Sequence, residues 1–424
     1  LDQCSYILNR NKPSIKRQVY AAIGGMKLDG DETANKAFSL LENAIKNKET
    51  SLAPVAIFRS CISLGMKNAN LWECIFPLLD SLLSIQDPEI FYEASRAAWL
   101  NLSELPEKVT ALIINSLHLA PTEYQGIQQN IDHLLCKLMK QESTAVMESL
   151  IESLLLSNDK LEITRFGSFT HQLLKENINV LNRILTKWFL SAEPKLCRAI
   201  SDLMMGRGQQ RLELKFDTNQ LKENQHQAIF VVRKATGWLF TFPVTLASLV
   251  LSIYDKVPQG QKNEIEELLF DPLLLSYTGE LRRYLKDCKN EGSEELQALI
   301  GRQFNRLDKY YEGLHIADEI NELRAPSENA NKYWQEFNNK LEQARDTGHK
   351  SAFEDLFTTH HLLYGNSSAY YVHGVDGAQH RSEMTMNTHS FSSELPRLNV
   401  IDPHGLDMIL RTFRVTRFKD EINS

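Results

Sequence analysis

The stretch DETANKAFSLLENA, from Asp31 to Ala44, sets the structural pattern for the first half of this 424-residue chain. Its apolar side chains recur at i, i+3, i+4 and i+7 and so share one face of a helix: Ala37, Leu40, Leu41 and Ala44. Asp31 follows Gly30 and can cap the first turn. Such a helix must bury its apolar stripe against a neighbour.

The same periodicity repeats along the chain with short polar breaks. The predicted helical segments are Leu52–Leu64, Leu71–Leu83, Ile90–Leu100, Val109–Leu117, Ile127–Met139, Val146–Leu155, Ile163–Leu174 and Val180–Phe189. Short helices with short linkers pack as antiparallel neighbours, and a long series of them predicts an α-solenoid of HEAT- or armadillo-like architecture. Alternate helices begin roughly 34–39 residues apart, although no residue signature repeats.

We predict an all-α chain with four sections. They are a helical-repeat array at 1–205, a connector at 206–228, a second helical domain at 229–363 and a mostly irregular C-terminal tail at 364–424. In the connector, RLELKFDT (Arg211–Thr218) alternates apolar and polar residues, which is typical of one short strand or an extended segment. The tail contains glycine-rich loops and ends in a basic amphipathic segment, so we expect it to dock on or cap the helical scaffold.

One apolar stretch has the length of a membrane span. Ala235 to Tyr254 carries no charge over roughly 20 residues. Within it, Thr241-Phe242-Pro243 is typical of a helix start, because proline is favoured in the first helical turn. We therefore predict two buried helical segments that meet at Pro243, and no membrane span.

Composition narrows the functional classes. The hydrophobic fraction of 42% and the charged fraction of 24% are typical of a soluble, folded protein. A net charge of −7 argues against a protein that coats nucleic acid over its whole surface. The six cysteines are scattered without a C-x-x-C pair, which predicts buried free thiols in a reducing intracellular compartment, either cytoplasm or organelle matrix.

Histidines and carboxylates in the last third are the candidates for chemistry. Those that can act as acid, base or metal ligand are Glu354, His360, His361, His373 and His380. Their spacing matches no metal-binding motif. Glu312 and His315 form a single E-x-x-H pair, whereas a carboxylate-bridged di-iron bundle uses two such pairs. We therefore predict no cofactor.

Basic residues mark two candidate binding segments. Arg207 and Arg211 belong to a glycine-containing turn that can contact RNA or form a hinge between domains. Near the end of the chain, four basic residues interleave with apolar ones: Arg411, Arg414, Arg417 and Lys419. If this segment is helical, its arginines form a basic stripe that can dock on an acidic partner, on the protein's own helices or on RNA.

Three functions fit these patterns. The favoured one is a protein-interaction scaffold, a subunit or adaptor of a larger assembly, because a helical array offers an extended surface and no catalytic motif is found. The alternative is an enzyme with a histidine–carboxylate site in the C-terminal third, and the sequence leans against it. The third is a helical-repeat RNA-binding protein, which the acidic net charge disfavours.

Overall fold

The computed structural model of the chain describes residues 1–10, 13–28, 30–46, 53–141, 143–205, 212–221, 226–320, 332, 335, 339, 367–373, 379–385 and 394–418. These residues are predominantly helical, with one pair of short strands. They belong to two compact units: unit 1 comprises 1–184 and 198–206, and unit 2 comprises 185–197 and 207–424. The helical class predicted from the sequence is thus confirmed.

The described part of unit 1 is built from consecutive helices. Their bounds are α1 Asp2–Arg10, α2 Pro13–Gly25, α3 Asp31–Lys46, α4 Pro54–Lys67, α5 Trp72–Leu83, α6 Pro88–Asn101, α7 Glu107–Ser116, α8 Gln125–Lys140, α9 Thr144–Ser157 and α10 Gly167–Lys175; α11 Ile178–Ser191 and α12 Pro194–Met205 contribute residues to both units. The helices predicted between Leu52 and Phe189 are confirmed to within a few residues, although the one predicted from Ile163 begins with a 3-10 turn.

Helices of unit 1 contact their second neighbours along the chain. α2 packs on α4, α4 on α6, α6 on α8 and α8 on α10, while α4 also contacts α3 and α5. Hydrogen bonds between them span similar sequence separations: 39 residues for Ser63 to Gly24, 38 for Asn130 to Tyr92, 37 for Gln128 to Arg165 and 36 for Asn158 to Thr122. The contacts therefore recur about one helix pair apart.

A cap at its start and a contact with α8 fix the position of α6. The Asp87 carboxylate accepts a hydrogen bond from the Glu89 amide at 2.7 Å, and Pro88 lies in the first turn. On the buried side, the Nδ2 atom of Asn130 in α8 donates to the Tyr92 carbonyl at 3.2 Å. Because a buried amide must satisfy its hydrogen bonds, this contact holds α8 in register against α6.

Unit 2 contains the apolar stretch that has the length of a membrane span. Its helices are α13 His226–Leu239, α14 Pro243–Tyr254, α15 Gln259–Leu268, a π-helical turn Leu269–Leu274, α16 Glu280–Glu291 and α17 Glu294–Asp318. Pro243 lies in the first turn of α14, so the predicted division into two buried helices is confirmed. None of the helices in the described part of the chain has the length and apolarity that crossing a bilayer requires.

Residues 212–217 of the connector are extended and form no strand, and a 3-10 turn follows them at Thr218–Gln220. Leu214 and Phe216 are buried, in agreement with the alternating pattern. Their amides donate to the hydroxyls of Ser248 at 2.9 Å and Ser252 at 3.1 Å on α14. Of the two predicted forms, the extended segment is therefore the one observed, because helix hydroxyls take the place of a partner strand.

The structure corrects the expectation of a mostly irregular tail. Its described elements are β1 Ser367–His373, β2 Gln379–Thr385, α18 Leu398–Ile401 and α19 Pro403–Val415, with β1 and β2 antiparallel. Tyr370, Tyr371 and Val372 favour an extended backbone. Asp402 starts α19, since its carboxylate accepts a hydrogen bond from the Gly405 amide at 2.9 Å. Both signals were present in the sequence.

Candidate functional site

An open groove runs across unit 1 where α2, α4, α6 and α8 lie side by side. It consists of two adjoining clefts of about 540 Å³ and about 480 Å³. One cleft lies between α2 and α4, and the other extends from α2 and α4 to the start of α8. Arg17, Val55 and Arg59 line both clefts, so the two form one continuous concavity.

Ion pairs link neighbouring helices within the groove. Arg17 of α2 lies 3.3 Å from Glu89 of α6. Arg59 of α4 donates to Glu93 of α6, and Arg96, which lies one turn later on α6 and outside the groove lining, is 3.8 Å from the same carboxylate. The hydrogen bond to Glu93 raises the pKa of the Arg59 guanidinium. Because Glu93 is buried while Arg59 and Arg96 are about half exposed, the charge that these three residues present to solvent is positive.

Two tyrosines line the second cleft and are open to solvent. Tyr92 is 40% exposed and Tyr124 is 52% exposed. Gly126 allows the Tyr92 ring to lie against α8, since a Cβ there would stand 3.0 Å from the ring. Pro88 and Val55 add apolar surface beside them. Tyrosine and arginine frequently dominate binding energy at protein interfaces, because each combines a broad contact area with a hydrogen-bonding group.

The groove is therefore equipped for binding. Its guanidinium groups can hold carboxylates or carbonyl oxygens, and its tyrosine rings can cover apolar side chains. Because it crosses four helices, it suits an extended ligand that contacts several helices in turn.

Arg414 lies in a different environment, in the contact between α19 and α13 of unit 2. Its Nε donates to the Gly237 carbonyl at 2.7 Å, and its guanidinium lies 4.8 Å from the centre of the Trp238 ring. The buried Lys234 donates from Nζ to the Arg414 carbonyl at 2.7 Å. A Cβ on Gly237 would stand 3.1 Å from the Arg414 amide, so the close approach of α19 favours a glycine here. Arg414 thus holds α19 on its own unit.

The chain just before α18 is anchored in the same unit. The Glu394 carboxylate accepts hydrogen bonds from the amides of Gly279 at 2.8 Å and Glu280 at 2.6 Å, at the start of α16. This negative charge complements the helix dipole. The Arg397 guanidinium donates to the Tyr311 hydroxyl of α17 at 2.5 Å. We refer to residues 394–418 as the C-terminal segment.

The other arginines of the C-terminal segment are not equivalent to Arg414. Arg411 is exposed and lies 2.6 Å from Asp407, one turn earlier in α19. Arg417 is exposed and follows the end of α19 at Val415. The three arginines therefore do not form one helical stripe.

Several candidate residues lie outside the part of the chain that the structure describes. They are the catalytic candidates Glu354, His360 and His361 and the binding candidates Arg207, Arg211 and Lys419. His373 ends β1 and His380 lies in β2, where residue 372 pairs with 380 and residue 373 with 379. The enzyme and RNA-binding hypotheses therefore stay predictions.

Glu312 and His315 lie on α17, and both are exposed. Within the described residues, no group of three or more histidine, cysteine, aspartate or glutamate side chains is arranged to hold a metal ion.

All six cysteines are free thiols. Cys4, Cys61, Cys136 and Cys197 are buried, Cys288 is half-buried and Cys74 is exposed. The expectation of buried thiols is therefore wrong for Cys74. Burial raises the pKa of Cys136 to about 11 and that of Cys197 to about 12, so both thiols stay protonated at neutral pH.

The groove residues were not among the candidates predicted from the sequence. Arg17, Arg59, Tyr92 and Tyr124 lie on or beside four different helices and share no local motif. Their separations along the chain of 42, 33 and 32 residues fall outside the predicted interval between helix pairs, so that interval does not identify them.

The chain matches no known protein-family model, no curated protein and no solved structure.

Proposed function

We propose that this protein is an interaction scaffold, and that unit 1 is an α-solenoid whose groove binds an extended segment of a protein partner. The observation that carries the proposal is the groove, which crosses four helices and presents partly exposed arginines and tyrosines. Scaffolds of this kind bind through surfaces that several repeats build together.

Recurring contacts support the solenoid. Each of α2, α4, α6 and α8 packs on the next even-numbered helix. Polar contacts between helices recur at similar separations, as in the pairs Arg59–Glu93 at 34 residues, Arg183–Glu148 at 35 and Ser168–Asp132 at 36. In a repeat array each helix pair covers the apolar face of its neighbour, which produces such an interval.

The composition of the groove supports a protein ligand. Charged and apolar groups line it together, with Arg17 and Arg59 in the same cleft as Val55, Tyr92 and Tyr124. An extended peptide offers main-chain carbonyls and side chains of both kinds, so it can contact each of these groups in turn.

The double variant Tyr92→Ala with Tyr124→Ala tests the proposal. Both side chains are exposed, so we expect the variant to fold. Tyr6→Ala is the matched control, because Tyr6 is 60% exposed and lies on α1, outside the groove lining. Proteins retained from source-cell lysate by wild type, variant and control are quantified by mass spectrometry, then purified and titrated.

We expect at least one purified protein to bind wild type and control alike, and to lose about tenfold or more in affinity for the double variant. Equal binding to all three proteins, with circular dichroism showing that all are folded, contradicts the groove as the binding site.

A further inference from the structure

We infer that the groove recognises an acidic segment of its partner, and that a carboxylate of this segment replaces Glu89 as the ligand of Arg17. The inference rests on the proposed function and specifies the chemistry of the partner.

The charge that the groove presents to solvent favours an acidic ligand. The side chains of Arg17 and Arg59, which line both clefts, are each 57% exposed. Of the two carboxylates, Glu93 is only 9% exposed, which leaves Glu89 as the accessible one. An approaching ligand therefore meets two guanidinium groups and one exposed carboxylate.

The pair Arg17–Glu89 can be exchanged. Its atoms are 3.3 Å apart, and the Glu89 side chain is 66% exposed. Exposed ion pairs contribute little to stability, because water solvates both partners when they separate. A ligand carboxylate that is also held by neighbouring contacts can therefore displace Glu89 from Arg17.

The pair Arg59–Glu93 has the opposite character. Glu93 is buried, so removing Arg59 would leave a carboxylate with poor solvation. Arg59 is therefore expected to keep its partner and to supply a fixed positive charge beside the exchangeable one.

The surroundings of Arg17 also restrict which residues of the ligand can lie beside its acidic residue. Tyr92, Tyr124 and Pro88 form an apolar side of the second cleft. In an extended ligand, residues close to the carboxylate can place aromatic or aliphatic side chains on this surface. We therefore expect an aspartate or glutamate with apolar neighbours.

A phage-displayed library of random peptides about twelve residues long identifies the preferred chemistry, since a chain of this length spans about 40 Å. The full chain is immobilised as bait. Peptides that also bind the double variant Tyr92→Ala with Tyr124→Ala are removed, so that the remaining peptides depend on the groove. We expect these to be enriched in aspartate and glutamate beside apolar residues.

Two variants then test the exchange with one synthetic peptide from that selection. Glu89→Gln removes the internal competitor, and we expect peptide affinity to rise about two- to fivefold. Arg17→Gln removes the proposed ligand-binding charge, and we expect affinity to fall about five- to tenfold. Glu104→Gln and Lys108→Gln are charge-matched controls on exposed residues outside the groove lining and should change affinity less than about twofold.

The outcomes separate the two proposals. Groove-dependent peptides that are neutral or basic, or a lower affinity with Glu89→Gln, overturn the acidic ligand and leave the groove as a binding site. A library that yields no groove-dependent peptide overturns the proposed function and this inference together.

Discussion

The groove of unit 1 and the α13–α19 contact of unit 2 use the same kinds of side chain in different surroundings. At the contact, Arg414 donates to the Gly237 carbonyl and lies over the Trp238 ring. In the groove, Arg17 lies beside an exposed carboxylate, and Tyr92 stays 40% exposed. An arginine can thus hold a fold together or be available to a ligand, and the neighbouring elements determine which.

The largest expected effect tests whether the C-terminal segment is held by burial. Leu410 of α19 is fully buried, so Leu410→Ala should weaken the docking of this segment by about 3 kcal/mol through lost apolar contacts and an unfilled cavity. Hydrogen exchange of the α19 amides measures the change and should accelerate by about a hundredfold.

Met408→Ala on the same helix is the control, because Met408 is 67% exposed. It should change the free energy of opening of α19, measured by hydrogen exchange, by less than about 0.5 kcal/mol. If the two variants exchange at the same rate, α19 is not held on unit 2 by its buried face.

The next largest effect concerns Arg414. Arg414→Ala removes the hydrogen bond to the Gly237 carbonyl and the contact with Trp238, so we expect a loss of about 1.5–2 kcal/mol. Arg411→Ala removes the ion pair with Asp407, which lies one helical turn earlier at a partly exposed site, and should cost about 0.3–0.5 kcal/mol. Urea unfolding of both variants measures the difference, and equal losses would show that Arg414 is no more structural than Arg411.

The sequence could predict the helices and some of their starting residues. The apolar periodicity from Asp31 onward was sufficient for the helices, because it reports burial on one face of each element. Pro243 marked a helix start correctly, because its effect is local: it lies in the first turn of α14.

Contacts between distant residues could not be predicted in this way. Leu410 and Met408 are both apolar residues of one helix, yet only the structure distinguishes the buried one from the exposed one. Arg414 lies 177 residues from Gly237, whose carbonyl accepts its hydrogen bond. The groove likewise combines residues from four helices, and no local pattern shows which residues of successive helices meet.

A third prediction compares the pH dependence of the two units. Burial raises the pKa of Asp202 on α12 to about 6. Arg198, whose Nε lies 3.9 Å from the Asp202 carboxylate, lowers this pKa, and the negative charge of Glu162 raises it. Because this folded-state pKa exceeds the ordinary value, the contribution of Asp202 to stability is complete below about pH 4 and is lost as the pH rises through about 6. Glu267 of unit 2 acts oppositely: hydrogen bonds from Arg306 lower its pKa, so its contribution is lost as the pH falls.

Asp202→Asn should therefore stabilise the protein at neutral pH by about 1 kcal/mol, after allowance for partial exposure, and should have less effect at about pH 4.5. Asp80→Asn, an exposed site on α5, serves as the control. Urea unfolding at both pH values checks this, and an equal stabilisation at the two values would contradict a role for the Asp202 proton.

The smallest expected effect completes the contrast between groove and contact. Arg17→Gln breaks the pair with Glu89, whose two side chains are 57% and 66% exposed, so the free energy of unfolding should change by less than about 0.5 kcal/mol. Lys108→Gln controls for the loss of one positive charge. A residue kept for ligand binding need not stabilise the fold, and Arg17 should then affect peptide affinity while leaving urea unfolding almost unchanged. A loss as large as that of Arg414→Ala would instead make Arg17 a structural residue, and the groove would lose its exchangeable charge.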